Sequence, residues 1–224
     1  MIEFRDVSHA FDGRCVLRDI TVSLPERRIG IVGANGSGKS TLARMINALV
    51  VPDTGTVVVD GLDAAKDKRR VRRRVGFIFS DPDRQIIMPT VREDIELSLT
   101  RTELNKAERR DRTMDVLDRF GLAGHADQPA SRLSGGQKQL LALAAVFVTE
   151  PAILVADEPT TLLDLRNSRM LRRVFADLDV QLVVVSHDLD LVADFDRILV
   201  IDDGTITVDD VPDVALRAYR EAMA

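Results

Sequence analysis

The segment from Arg28 to Val50, "RIGIVGANGSGKSTLARMINALV", constrains the fold of this chain more than any other. An apolar run enters Gly33, "GANGSGKST" from Gly33 to Thr41 matches G-x-x-x-x-G-K-[ST] in full, and helical spacing follows from Ser40. A strand feeding a glycine loop that opens a helix aims backbone N–H groups and the positive end of the helix dipole at one anion. In this pattern Gly33, Asn35, Gly36, Ser37, Gly38 and Thr41 form the phosphate cradle. Lys39 reaches the outer phosphates, and the Ser40 hydroxyl is placed to ligate Mg²⁺.

The remaining strand candidates fit around this unit. "GTVVVDG", "VGFIF", "AILVAD", "LVVVSHD" and "RILVIDDGTITV" are short, and several are solid β-branched runs, as expected of parallel strands covered on both faces. The segment 85–132 has helical periodicity, as in "AERRDRTMDVLDRFGL". The expected fold is α/β: a P-loop NTPase (RecA-like) core with a parallel sheet, a small antiparallel portion from Ile2 to about Pro25, and an inserted helical subdomain. One domain spans 1–224, with its core at about 1–84 and 133–224 and the insert at about 85–132.

Composition narrows the partners. The chain of 224 residues carries a net charge of −5, which argues against nucleic acid. A lone Cys15 rules out a disulfide framework. The N-terminal "MIEFRDVSHAF" lacks the apolar core of a signal peptide, and "LLALAAVFV" reads as a buried helix rather than a membrane span. The basic run "KDKRRVRRRV" from Lys66 reads first as a solvated helix face, with anionic lipid headgroups as the alternative contact.

Two more strand ends carry chemistry. "ILVADEP" ends in paired carboxylates: Asp157 suits a water-mediated Mg²⁺ contact and Glu158 suits polarising an attacking water. His187 closes "LVVVSHD", where strand ends beside a phosphate loop converge, and could hydrogen-bond a γ-phosphate. His9 and His125 lack this setting and receive no role. A second glycine turn, "LSGGQ" at Leu133 to Gln137, opens another helix.

The phosphate loop, "LSGGQ", "ILVADEP" and His187, in that order, make the whole chain resemble an ATP-binding subunit of an ABC transporter. The resemblance implies an ATPase that works as a head-to-tail dimer, with ATP and Mg²⁺ held between the phosphate loop of one copy and Ser134, Gly135, Gly136 and Gln137 of the other. It implies that Phe11 stacks on adenine, with a place in the antiparallel core as the alternative, and that Asp164 in "TLLD" communicates across the dimer. Where this family has Gln after the strand, Ser80 stands here, so its metal contact is in doubt; Asp81 or Gln85 is the alternative ligand. "FSDPDRQI", "PTVREDI" and "DEPTTLLDLRN" are similar to energy-coupling-factor importers, most of all to biotin importer ATPases. That group implies a transmembrane coupling protein, a substrate-binding membrane subunit, and a peripheral position on the cytoplasmic face. Ile86, Ile87 and Met88 would anchor a docking helix, or else pack in the insert's own core. A cobalt, nickel or other ABC transporter, or a soluble iron–sulfur assembly ATPase, is the alternative reading.

Overall fold

A computed structural model describes residues 1–223, beginning with the antiparallel pair β1 (Ile2–Phe11) and β2 (Arg14–Leu24). Asp12 and Gly13, at φ of 49° and 78°, form the two-residue turn between them. This Asp-Gly turn matches the twist of a hairpin and puts Phe11 at its tip, paired with Arg14. β3 (Arg28–Val32) runs into the glycine loop, and α1 (Lys39–Ile46) follows it.

β4 (Thr54–Val59) and β5 (Leu62–Asp63) come next. They join the first hairpin in a four-stranded sheet of order β2-β1-β4-β5. The antiparallel portion is therefore larger than the expected stretch from Ile2 to Pro25. The β-branched run in "GTVVVDG" pairs antiparallel with β1 and takes no part in the parallel sheet. α2 (Lys68–Arg74) buries only Val71, as a solvated basic helix does. Arg72 nonetheless turns back to donate to the backbone oxygens of Asn47 and Ala48, at 3.4 and 2.8 Å.

β6 (Val75–Ile78) leads out of the first sheet region to four helices: α3 (Val91–Ser98), α4 (Lys106–Arg119), α5 (Gly135–Phe147) and α6 (Leu165–Ala176). Capping boxes start three of them, Thr90 with Glu93, Asn105 with Glu108, and Ser134 with Gln137. Each box satisfies two otherwise orphaned N–H groups. β7 (Ile153–Asp157), β8 (Gln181–Val185), β9 (Arg197–Asp202) and β10 (Thr205–Asp210) complete the second sheet, and α7 (Pro212–Ala222) packs on β9 and β10. The order is β10-β9-β3-β8-β7-β6. "RILVIDDGTITV" is a hairpin, not one strand: Asp203-Gly204 turns the chain, and β10 is an antiparallel edge on β9, which with β3, β8 and β7 runs parallel. β3, β7 and β8 are almost wholly buried, which accounts for their unbroken apolar character.

The described residues divide into two units. The first comprises Met1–Phe77, Ala152–Glu158 and the chain from Asp179 onward; the second comprises Ile78–Pro151 and Pro159–Leu178. The helical unit thus takes in α5 and α6 as well as the segment 85–132. Within it α3 packs on α4 and α5, and α4 packs on α5.

A buried carboxylate fixes the entry to α3. Asp94 Oδ1 accepts from the backbone N–H groups of Ile87 and Met88 at 2.8 and 2.9 Å. Asp94 is 5% exposed. Asp94→Ala removes the acceptor from both donors, and we expect a loss of about 1–3 kcal/mol. Asp94→Asn, which keeps an oxygen, should lose less. Urea unfolding of the three proteins checks this; equal midpoints for wild type and Asp94→Ala would remove the carboxylate from the account of this segment.

Candidate active site

Parallel pairing builds the site. Ile31, Val185 and Asp157 lie side by side across β3, β8 and β7. The ladder runs one residue further on each side, with Ser186 N donating to Ile31 O at 3.1 Å and Glu158 N donating to Val185 O at 2.9 Å. The residues just beyond are Gly33, Glu158 and His187. Three segments far apart in sequence therefore open at one sheet edge, where open α/β sheets place ligands.

The glycine loop is shaped for close backbone approach. Gly36 and Gly38 have φ of 82° and 105°, a region that side chains disfavour. A Cβ on Gly38 would also stand 2.6 Å from the Val16 carbonyl oxygen. Lys39 is 6% exposed, and its Nζ donates to Ala34 O at 2.7 Å. Burial holds its pKa below the ordinary lysine value, against the pull of the Glu158 and Asp157 carboxylates. A buried ammonium with one neutral acceptor is poised to meet further anionic oxygens. Ser37 Oγ is also buried, with no hydrogen-bond partner among the described residues.

Asp157 is 2% exposed. It accepts from Ser40 Oγ at 2.7 Å and from Arg44 Nη2 at 3.3 Å. Ser40 and Asp157 are thus in contact, which places two hard oxygen donors side by side. Glu158 is held by His187, whose Nδ1 lies 2.6 Å and whose backbone N lies 3.3 Å from Glu158 Oε2. The backbone of Glu158 is left-handed, φ 54°, immediately before Pro159. Such strain in a residue with a side chain costs roughly 1–2 kcal/mol and marks a position held for its geometry.

Phe11, Asn35, Gly36, Gly38, Lys39, Ser40, Thr41 and Glu158 line one cavity. Phe11 is 49% exposed and packs edge-on against His9, ring centroids 4.5 Å apart. It has an open ring face and is not an interior residue of the antiparallel sheet. The Asp203-Gly204 turn also lines this cavity, a contribution that sequence reasoning missed although the Asp-Gly pair was its signal.

The other expected residues lie in the helical unit. Ser134 caps α5: its Oγ accepts from Gln137 N at 3.3 Å, and its own N donates to Gln137 Oε1 at 2.9 Å. Ser134 and Gly135 are exposed, whereas Gly136 is buried, and a Cβ there would meet Asn167 Nδ2 at 2.5 Å. Asp164 caps α6, its Oδ1 accepting from Asn167 N at 2.8 Å. Ser80 is half-buried in the segment after β6. Neither alternative ligand near it stands free. Asp81 Oδ1 accepts from Asp83 N and its Oδ2 from Arg84 Nε, each at 3.1 Å. Gln85 Oε1 accepts from Phe79 N at 3.2 Å, and its Nε2 donates to Ala142 O at 3.3 Å. Two further links tie this segment to α5: Gln139 Nε2 donates to Phe79 O at 3.3 Å, and Lys138 Nζ donates to Asp83 Oδ1 at 2.7 Å. Ile87 is 74% exposed, while Ile86 and Met88 are half-buried.

A glycine loop between a buried strand and a helix, a buried lysine at the helix start and carboxylates on the neighbouring strand end define a P-loop nucleotide-binding ATPase. The model of the ABC transporter family matches residues 17–161, and the chain belongs to that family as an ATP-binding subunit. Relatives agree with this. The chain is 51% identical over 223 residues to a Deinococcus radiodurans protein provisionally named an ABC transporter ATP-binding protein, covering 100% of this chain and 99% of that one. It is 44% identical over 223 residues to the biotin transport ATP-binding protein BioM of Rhizobium etli, with the same coverage. Among solved structures, a dimeric bacterial ABC transporter cassette superposes with a TM-score of 0.83 at 28% identity, covering 95% of this chain and 99% of that one.

Lys39→Ala should weaken ATP binding by about 1.5–3 kcal/mol, the scale of a charge-assisted hydrogen bond, or roughly tenfold to a hundredfold in Kd. Titration calorimetry on the folded variant measures this. Unchanged affinity would show that the buried ammonium does not meet the nucleotide.

Proposed function

We propose that this chain is the ATPase subunit of an energy-coupling-factor importer that takes up a vitamin, with biotin as the cargo. The observation that carries the ATPase site is the pairing of Glu158 with His187 beside a phosphate loop whose Lys39 and Ser37 are buried and short of partners. Support for the transporter type comes from the phrases around Ser80, Pro89 and Asp164 and from the similarity to the Rhizobium etli protein.

In this reading Phe11 stacks on the adenine and the loop N–H groups of 33–41 enclose the phosphates. Lys39 moves from Ala34 O to the outer phosphate oxygens. Ser40 and, through water, Asp157 would hold Mg²⁺. The donor set fits that ion: hard oxygens in contact, few in number, with the nucleotide supplying the rest. Bound there, Mg²⁺ would neutralise charge on the phosphates. Glu158 accepts a hydrogen bond from the attacking water, and His187 orients the carboxylate through Nδ1 while its Nε2 is left to face the γ-phosphate. Ser80 is too short to serve as the metal ligand that Gln provides in this family, so it would reach Mg²⁺ through a water or not at all, and the loss falls on the signal between the transmembrane partner and the ATP site.

The second site element comes from a second copy. α5 starts with Ser134 and Gly135 exposed and with no acid in its first turn. It is therefore suited to receive a γ-phosphate held by a head-to-tail partner, and ATP then closes the dimer and hydrolysis opens it. Among the described residues no helix is long and apolar enough to cross a membrane. The subunit would sit on the cytoplasmic face through a transmembrane coupling protein docked near Ile86, Ile87 and Met88, with a separate membrane subunit binding the cargo.

Glu158→Gln should retain ATP binding, lower turnover a hundredfold or more, and accumulate an ATP-bound dimer. Adding Gly135→Asp, which sets a carboxylate against the partner's γ-phosphate, should abolish that dimer and leave ATP binding intact. Sedimentation with Mg-ATP reads both. Wild-type turnover in Glu158→Gln, or an undiminished dimer in the double variant, would refute the respective role.

A further inference from the structure

The first turn of α5 is held by a chain of hydrogen bonds that begins outside the helix. Gln137 Oε1 accepts from Ser134 N, a backbone donor that admits no other assignment. The amide group of Gln137 is thereby oriented, and its Nε2 end, a donor only, points at His125 Nε2, 3.1 Å away. His125 Nε2 must therefore accept, and the ring proton belongs on Nδ1. Gln128 Oε1, an acceptor, lies 3.0 Å from that nitrogen. The chain Gln128, His125, Gln137, Ser134 thus has a single consistent polarity.

This chain decides which donors α5 presents. Ser134 N is taken by Gln137 Oε1, Gln137 N by Ser134 Oγ, and Lys138 N by Ser134 O. Among the described residues the N–H groups of Gly135 and Gly136 keep no partner. A free glutamine side chain samples many rotamers, and fixing it costs free energy that one exposed hydrogen bond barely offsets. His125 supplies the second anchor.

We infer that neutral His125 is a positioning residue of the ATPase: its Nε2 locks Gln137 and so holds the cap that aims the Gly135 and Gly136 donors at a nucleotide in the partner copy. The inference rests on the head-to-tail reading above. It assigns His125 no contact with ATP in either copy.

The test compares His125→Leu, which lacks an acceptor, with His125→Gln, whose amide oxygen can accept from Gln137. Each is placed in the Glu158→Gln background. His125→Leu should bind ATP as a monomer within twofold of its parent, yet need at least tenfold more protein to form the ATP-bound dimer. Amide hydrogen exchange at residues 134–137 should quicken. His125→Gln should restore both towards the parent. A His125→Leu protein that dimerises like its parent, or a His125→Gln protein as impaired as His125→Leu, overturns the positioning role. If monomer affinity falls as far as dimerisation, the effect is general damage and the role is likewise rejected. If the Glu158→Gln parent itself forms no dimer with ATP, the head-to-tail reading fails, and this inference with it.

Discussion

The register of three parallel strands is the constraint on which the rest of the structure depends. Because Ile31, Val185 and Asp157 are level, the loop after β3, the histidine after β8 and the glutamate after β7 emerge together. A slip of one residue in β7 would exchange the faces of Asp157 and Ala156 and send the carboxylate away from Ser40. The hydrophobic runs of these strands, buried on both faces, secure that register. Core packing and site geometry are here one problem: the same ladder that buries Val183 and Val155 sets the distance from Ser40 to Asp157.

Around that edge the charges are arranged in opposition. Lys39 is buried near two carboxylates, each of which already has another partner: Asp157 has Ser40 and Arg44, and Glu158 has His187. The lysine itself rests on a carbonyl oxygen. The strongest unmet demand in the pocket is therefore for anionic oxygen near Nζ and Ser37 Oγ. Burial lowers the pKa of the ammonium, and the Glu158 and Asp157 carboxylates oppose that shift. The helical unit solves a different problem with neutral groups. The first turn of its α5 is held by the amide of Gln137, the hydroxyl of Ser134 and the imidazole of His125.

Much of this was legible in the sequence. The glycine loop, the strands on either side of it, the long helix α4 and the strand-end acids follow from pattern alone. The errors have identifiable causes. "GTVVVDG" looks like any parallel strand because β-branched residues suit both kinds of sheet; its partner, β1, is distant in sequence. The β9–β10 hairpin was missed, though Asp-Gly is a strong hairpin signal, and Asp12-Gly13 and Asp60-Gly61 turn the chain with the same dipeptide. His125 and Asp94 could not be found from spacing. Each acts through backbone or amide groups whose position only the folded chain defines.

Gln85, Gln139 and Lys138 join the segment from Phe79 to Gln85 to α5 at three points, two through backbone carbonyls and one through Asp83. Elements fastened at three points cannot be exchanged separately. A chimera that imports the segment 79–88 of another transporter, to accept a different membrane partner, would break these links unless the facing side of α5 came with it. The two stretches, some fifty residues apart, form one inheritable module, and substitutions at 83 and 138 should be found to travel as a pair in any set of variants selected for a new partner.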